Sequence, residues 1–199
     1  TVGLARLWNC GLFSRVDGRL EHRPDGVVAV VELEERFSLN PLLSFGIGGG
    51  AAWGRIGAND NNFLGRFLEW GLRYERVLQF NGGQAWFRDP RLFNQRLSGL
   101  LQVEWLFRPR PEYTRRRMQA IVDLLREVED AALLGLRVEA FRDEYTPPFS
   151  GAGVVPANLQ GVLAHASLRV GRIDTVRLRE SGASLEARTS FGFTNDAAA

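Results

Sequence analysis

Leu68-Glu69-Trp70-Gly71-Leu72-Arg73-Tyr74-Glu75 alternates apolar and polar or small side chains one for one, and the fold turns on how that run is read. A period of two sends Leu68, Trp70, Leu72 and Tyr74 to one face of a pleated strand and Glu69, Gly71, Arg73 and Glu75 to the other. The run is the second arm of residues 42–77. In the first arm Leu43, Phe45, Ile47, Ala51 and Trp53 share one face, opposite Ser44 and a row of glycines. Residues 57–65, Gly57-Ala58-Asn59-Asp60-Asn61-Asn62-Phe63-Leu64-Gly65, form the hinge between the arms. Such strands must place the greasy face against lipid or an apolar core and the small or charged face against water.

The same alternation continues downstream. Residues 83–88 read as a short third strand that ends at Asp89-Pro90-Arg91. In residues 96–108, Leu97, Gly99, Leu101, Val103, Trp105 and Phe107 oppose Arg96, Ser98, Gln102, Glu104 and Arg108. Near the C-terminus Val162, Ala164, Ala166, Leu168 and Val170 oppose Gly161, His165, Ser167 and Arg169. A last arm sets Ala183, Leu185, Ala187, Phe191 and Phe193 against Ser184, Glu186, Arg188 and Ser190, with residues 174–182 joining the two. Residues 115–136 fit two patterns. Met118, Ile121, Val122, Leu125, Val128 and Ala132 fall at helical spacing among strong helix formers. The stretch also divides into two strands, 117–125 and 131–141, and flanking strands with the same facing favour that hairpin. The total is about eight amphipathic strands, each near the ~9–11 residues a tilted strand needs to cross a bilayer.

Upstream lies a different unit. Residues 1–9 read as the end of a helix with Leu4, Leu7 and Trp8 on one side, and Gly11 as its stop. A strand through residues 12–21, a turn at Pro24-Asp25-Gly26 and a return strand over residues 27–35 follow. This α+β unit of about 37 residues is too short to bury a core alone, so the expectation is a fragment whose missing half lies upstream.

Composition narrows the function. The 199 residues, 45% hydrophobic and 24% charged, describe a folded chain rather than a disordered one. No apolar run approaches a membrane helix of ~20 residues, a test that does not see barrels, whose lipid face is hidden in alternation. All 25 basic residues are Arg, interleaved with 23 acidic ones for a net charge of +2, so no nucleic-acid stripe is indicated. Arg115-Arg116-Arg117 is the one basic run, with a solvated turn as its default reading. Cys10 alone permits no internal disulfide. Two features favour a membrane barrel over a soluble sheet. Glu and Arg near mid-strand suit a wet lumen, and apolar faces that mix Gly and Ala with large residues lack dense two-sheet packing. Aromatics near strand ends (Trp53, Phe80, Trp86, Trp105, Phe107) suit an interfacial girdle.

No site for chemistry emerges. Gly46-Ile47-Gly48-Gly49-Gly50-Ala51 matches the dinucleotide fingerprint formally, but Gly54, Gly57 and Asn59 break the helix a pyrophosphate needs. His22 and His165 each stand alone, away from metal-ligand spacing. No enzyme, cofactor or metal site is expected. The glycines of residues 42–56 carry a different idea. Glycine weakens strand pairing and register, and an edge strand offers unpaired backbone groups to another chain.

With these residues in view, the chain resembles the bacterial outer-membrane assembly family, the BamA/TamA-like surface-antigen proteins. Leu7-Trp8-Asn9-Cys10-Gly11-Leu12-Phe13-Ser14-Arg15-Val16, with the strand-turn-strand after it, is similar to the second half of the last periplasmic POTRA module. Gly57-x-x-Asp60-Asn61-Asn62-Phe63-Leu64-Gly65-Arg66 is similar to the family's first barrel hairpin. Asp89-Pro90-Arg91-Leu92-Phe93 and residues 171–182 resemble later connections. The resemblance implies the C-terminal part of a POTRA module over residues 1–37 and the N-terminal part of a transmembrane antiparallel β-barrel over residues 38–199. The whole barrel would have roughly sixteen strands. It implies an outer-membrane location with the N-terminal module in the periplasm, and insertion of barrel clients or export of passengers without catalysis. Phe45, Gly46, Ile47, Gly48, Gly49 and Gly50 would lie in the lateral-gate strand, and Asp60, Asn61, Asn62, Phe63, Leu64 and Gly65 in the first hairpin. Partners would be outer-membrane lipids, unfolded outer-membrane or passenger proteins, and periplasmic or lipoprotein factors on the POTRA module. The alternative is a self-contained eight-stranded barrel acting as a porin or anchor.

Overall fold

The structure is a computed structural model that describes residues 2–9, 11–48, 51–110, 112–128, 132–147, 155–176 and 179–196. It opens with helix α1 (Val2–Asn9), followed by strands β1 (Phe13–Arg23) and β2 (Gly26–Glu35), which among the described residues pair only with each other. The helix stops where expected. Gly11 adopts φ 74° and its N–H donates to the Trp8 carbonyl at 3.2 Å, the left-handed termination glycine permits. β1 runs unbroken from Phe13 to Arg23. α1 lies on β1 through Leu4, whose side chain occupies the space above Gly18 that a Cβ there would need.

The remaining strands form one nine-stranded antiparallel meander, β3 (Leu39–Gly48), β4 (Ala51–Phe63), β5 (Leu68–Val77), β6 (Phe80–Asp89), β7 (Leu97–Pro109), β8 (Thr114–Val128), β9 (Ala132–Thr146), β10 (Leu159–Val176) and β11 (Arg179–Asp196). Their order in the sheet is their order in the chain. Nine strands replace the expected eight because the first arm is two strands. β3 ends at Gly48, β4 starts at Ala51, and the two pair antiparallel. The register sets Gly46 opposite Trp53 and Ile47 opposite Ala52. Directly opposed residues share a face, so Trp53 lies with Gly46 and Ser44, not with Phe45 and Ile47 as its position in an unbroken strand implied. The hinge moves accordingly. Residues 57–63 belong to β4, and the chain reverses only over residues 64–67.

The described residues of the 115–136 stretch are strand, not helix. β8 and β9 pair in continuous register from Thr114 opposite Thr146 to Val128 opposite Ala132. The apolar residues at helical spacing divide between the faces. Met118 and Val122 share the Trp105 and Leu101 face, while Ile121 lies with Gln102 and Glu139. Ladders on both sides of the segment outweigh its helix propensity. β10 and β11 also run on through Asp174 and Gly182, which pair with Ser181 and Ile173 respectively. Among the described residues no ladder joins β11 to β3, so the sheet is open and the closed eight-stranded alternative does not form.

Burial on this sheet is inverted. Asp143 is 1% exposed and Glu75 4%, whereas Phe45 is 79% exposed and Ile47 88%. Cross-strand registers join the exposed apolar residues into one face running from Leu43 and Ile56 through Leu72, Val103, Val122 and Val138 to Phe193. The shielded Asp143 and Glu75 occupy the other face. Side chains inside a curved sheet converge and cover one another while those outside diverge, so the polar face is the concave one. Ile121 and Phe141, the two buried apolar side chains among the described residues, also lie on it. No described helix is long and apolar enough to cross a membrane.

Candidate functional site

Strand β3 is one edge of the sheet, and among the described residues only one of its sides has a ladder. Phe45, Gly46, Ile47 and Gly48 lie in this edge strand; Gly49 and Gly50 fall outside the described residues. Leu43, Phe45 and Ile47 are exposed along its outer face. On its inner face the Trp53 ring lies across Gly46, where a Cβ would come within 2.8 Å of the ring. Among the described residues, no side-chain hydrogen bond or ion pair ties β3 to β4, so the backbone ladder carries the pairing. An edge strand with free N–H and C=O groups and little side-chain attachment is where a further strand can add.

The Asp60–Gly65 motif closes the β4–β5 turn, so it forms the second hairpin of the sheet, not the first. Its residues hold the turn together. Asp60 Oδ1 accepts the Asn62 N–H at 2.9 Å, Asn62 Oδ1 accepts the Phe67 N–H at 2.9 Å, and the Asn62 carbonyl accepts the Gly65 N–H at 2.8 Å. Leu64, Gly65 and Phe67 all take left-handed φ values, of 57°, 67° and 58°. Short amide and carboxylate side chains bonded to nearby backbone N–H groups are what steady such a reversal. Phe63 packs edge-on against Trp70 with centroids 6.1 Å apart. The motif also touches the strand that leads into the edge, since the Asn61 N–H donates to the Ser38 carbonyl at 3.2 Å.

The concave face carries an ion-pair network that the sequence did not reveal. Glu75 on β5 accepts from Arg55 Nε of β4 at 2.6 Å and Arg108 Nη1 of β7 at 3.0 Å. Asp143 on β9 accepts from Arg115 Nη2 at 2.6 Å and from Arg117 at 2.8 Å, while Arg117 also reaches Glu139 at 3.3 Å. Arg115 and Arg117 therefore point inward, and only Arg116 of that basic run faces out, to Glu144 at 3.2 Å. Gln119 bridges the network to β7 by donating to Glu104, and Gln102 donates to the same carboxylate group at 3.1 Å. Further along, Arg137 pairs with Asp123 at 2.6 Å, Arg169 with Glu186 at 3.0 Å, and His165 shares a hydrogen bond with Ser190 at 2.8 Å. Among the described residues no group of His, Cys, Asp or Glu could hold a metal ion. Period-two patterning places these residues on one face. It cannot say which Arg meets which carboxylate, since the partners lie up to 33 residues apart.

The arrangement is a polar wall of interleaved, paired charges backing an apolar outer surface. Its chemistry is that of hydration and hydrogen bonding on the inside and of lipid or protein contact outside.

No protein-family model matches the chain, and no curated protein matches it in sequence. Among solved structures the chain is similar to BamA from Haemophilus ducreyi lacking POTRA domains 1–3, with a TM-score of 0.63 and 15% identity. The alignment covers 96% of this chain and 41% of that chain, so this chain spans less than half the length of its structural neighbour. At that identity the likeness is one of fold, an antiparallel sheet of the BamA barrel kind.

Proposed function

We propose that the chain is part of an outer-membrane barrel that assembles or translocates other proteins, working by strand pairing at its β3 edge. In this reading β3 to β11 are the first strands of the barrel. α1, β1 and β2 are the end of a POTRA-type module on the periplasmic side, available to periplasmic or lipoprotein factors. The clients are unfolded outer-membrane or passenger chains, and the reading assigns no catalysis.

The observation that carries the proposal is the inverted burial. A soluble sheet hides its apolar face, and this one hides Asp143 and Glu75 while leaving a continuous apolar face exposed. Such a surface is stable where the medium itself is apolar. The strands, 10 to 18 residues long, suffice to cross it. Likeness to the BamA fold supports the assembly branch of barrel functions, and the glycine-bearing, weakly tied edge supports pairing as the mechanism.

Site-directed crosslinking tests it. The variants Ile47→Cys in β3 and Leu101→Cys in β7 are prepared in a Cys10→Ser background, in the whole protein. Each is then mixed with a barrel client carrying single cysteines along its terminal strand during folding into vesicles. Disulfides at position 47 in one register, with none at position 101, are expected. Equal or absent crosslinking at both positions sinks the pairing mechanism.

A further inference from the structure

The outer face changes character along its strands near the β7–β8 connection. Val103, Ala120, Ala140 and Val162 share one rung of the sheet. The next rung holds Trp105, Met118, Arg142 and Gln160, and one rung beyond, Arg116 stands opposite Glu144. Because Ala120 and Ala140 are short, the surface dips there into an open groove of about 920 Å³, flanked by Trp105 on one side and by Val162 and Phe193 on the other. Arg116 and Arg142 line the same groove at its polar end. The two share a single carboxylate, Glu144, at 3.2 Å and 3.1 Å, which leaves one positive charge in excess.

We propose that this groove binds an anionic membrane lipid, with one acyl chain over Ala120 and Ala140 and the headgroup phosphate between Arg116 and Arg142. The proposal rests on the reading that the outer face meets lipid. An apolar groove alone would accept any hydrocarbon chain. The uncompensated guanidinium charge at its mouth selects the headgroup, and guanidinium groups offer paired N–H donors that match phosphate oxygens. The spacing suits a single lipid. From the Arg116 rung to the Ala120 rung is four residues, or ~14 Å at the strand rise. That is about half of the ~30 Å hydrocarbon core and so about one acyl-chain length. The groove's polar end lies at the β7–β8 connection. The β4–β5 turn and the start of β3 lie at the opposite end, so with the N-terminal unit in the periplasm the headgroup belongs to the outer leaflet.

Lipid retention measures it. The whole protein is folded into nanodiscs of equal phosphatidylcholine and phosphatidylglycerol, released in mild detergent, and its bound lipids are counted by native mass spectrometry. Enrichment of phosphatidylglycerol by about fivefold is expected, the preference that ~1 kcal/mol for one net surface cation confers. Arg116→Gln with Arg142→Gln brings the ratio to parity. Ala120→Leu with Ala140→Leu removes the retained lipid, and Arg188→Gln on the concave face leaves retention unchanged. Wild-type protein that enters the bilayer and retains both lipids equally overturns the groove proposal alone. A chain that fails to enter bilayers of any composition overturns the lipid-facing reading, and the groove proposal with it.

Discussion

Arg117 of β8 grips Asp143 of β9 at two points, Nε to Oδ1 and Nη2 to Oδ2, each at 2.8 Å. Arg115 closes on the same carboxylate at 2.6 Å. With Asp143 at 1% exposure, one carboxylate holds two guanidiniums in a shielded place. Removing it leaves Arg115 and Arg117 side by side with Glu139, 3.3 Å from Arg117, as the remaining carboxylate. Asp143→Ala is expected to destabilise the fold by about 3 kcal/mol, in the range for breaking a buried pair. Glu186→Gln, at the exposed β10–β11 pair, should have a much smaller effect. Urea unfolding in detergent, followed by tryptophan fluorescence, compares the two; equal midpoint shifts would show that the Asp143 cluster is solvated and contributes little.

Side-chain ties also grade across the sheet, and that gradient predicts dynamics. Among the described residues β3 meets β4 with no side-chain hydrogen bond or ion pair, whereas Arg55–Glu75 joins β4 to β5 and the Asp143 cluster joins β8 to β9. Local opening is easiest where few side chains must separate. Amide exchange in residues 42–47 is therefore expected to exceed that in residues 117–123 by at least about tenfold, a difference of ~1.4 kcal/mol in opening free energy. Hydrogen exchange read by mass spectrometry on overlapping peptides measures it. Uniform protection across both segments would remove the basis for calling β3 a loose edge.

Two glycines of the sheet separate space from backbone effects. A Cβ at Gly83 would run into the Trp105 ring, which lies flat across that position, whereas one at Gly54 meets nothing within 4 Å. Gly83→Val is expected to displace Trp105 and cost about 1–3 kcal/mol, as overpacking does. Gly54→Ala should be neutral or stabilising by about 0.5 kcal/mol, because alanine loses less backbone freedom on folding. Thermal midpoints in detergent decide between them, and a Gly83→Val variant as stable as wild type would mean that Trp105 has another place to go.

These same residues show which parts of the fold were legible. Alternation through Leu97, Leu101, Val103, Trp105 and Phe107 identified β7 because each side chain reports its own face. The division between β3 and β4 was hidden because Gly48, Gly49 and Gly50 carry no side chain to mark the phase. Trp53 was therefore assigned to the wrong face. For β8, local periodicity fitted a helix as well as a strand, and only the ladders to β7 and β9 decide the matter. The ion pairs were beyond reach for a related reason. Arg117 and Asp143 meet across a register that depends on where the chain reverses, which lies between them in sequence. The Asp60–Gly65 motif was visible because its contacts are local, with Asp60 bonding two residues ahead and Asn62 five.

Leu100 and Leu101 give the most direct test of which medium the apolar face meets. They are successive residues of β7, identical in type and opposite in facing. Leu101 lies beside Phe87 and Val122 on the outer face, and Leu100 stands opposite Arg88 and Asp123 on the concave one. In a bilayer, Leu101→Arg places a charge in hydrocarbon and should cost about 2–4 kcal/mol near the midplane. Leu100→Arg places the same charge next to Asp123 in a hydrated interior, so its cost should stay below about 1 kcal/mol. Folding into phosphatidylcholine vesicles, followed by resistance to urea extraction, measures both. The expected result is loss of stable insertion for Leu101→Arg and near wild-type insertion for Leu100→Arg. The reverse order would mean that the apolar face is covered by protein and the polar face is not a lumen.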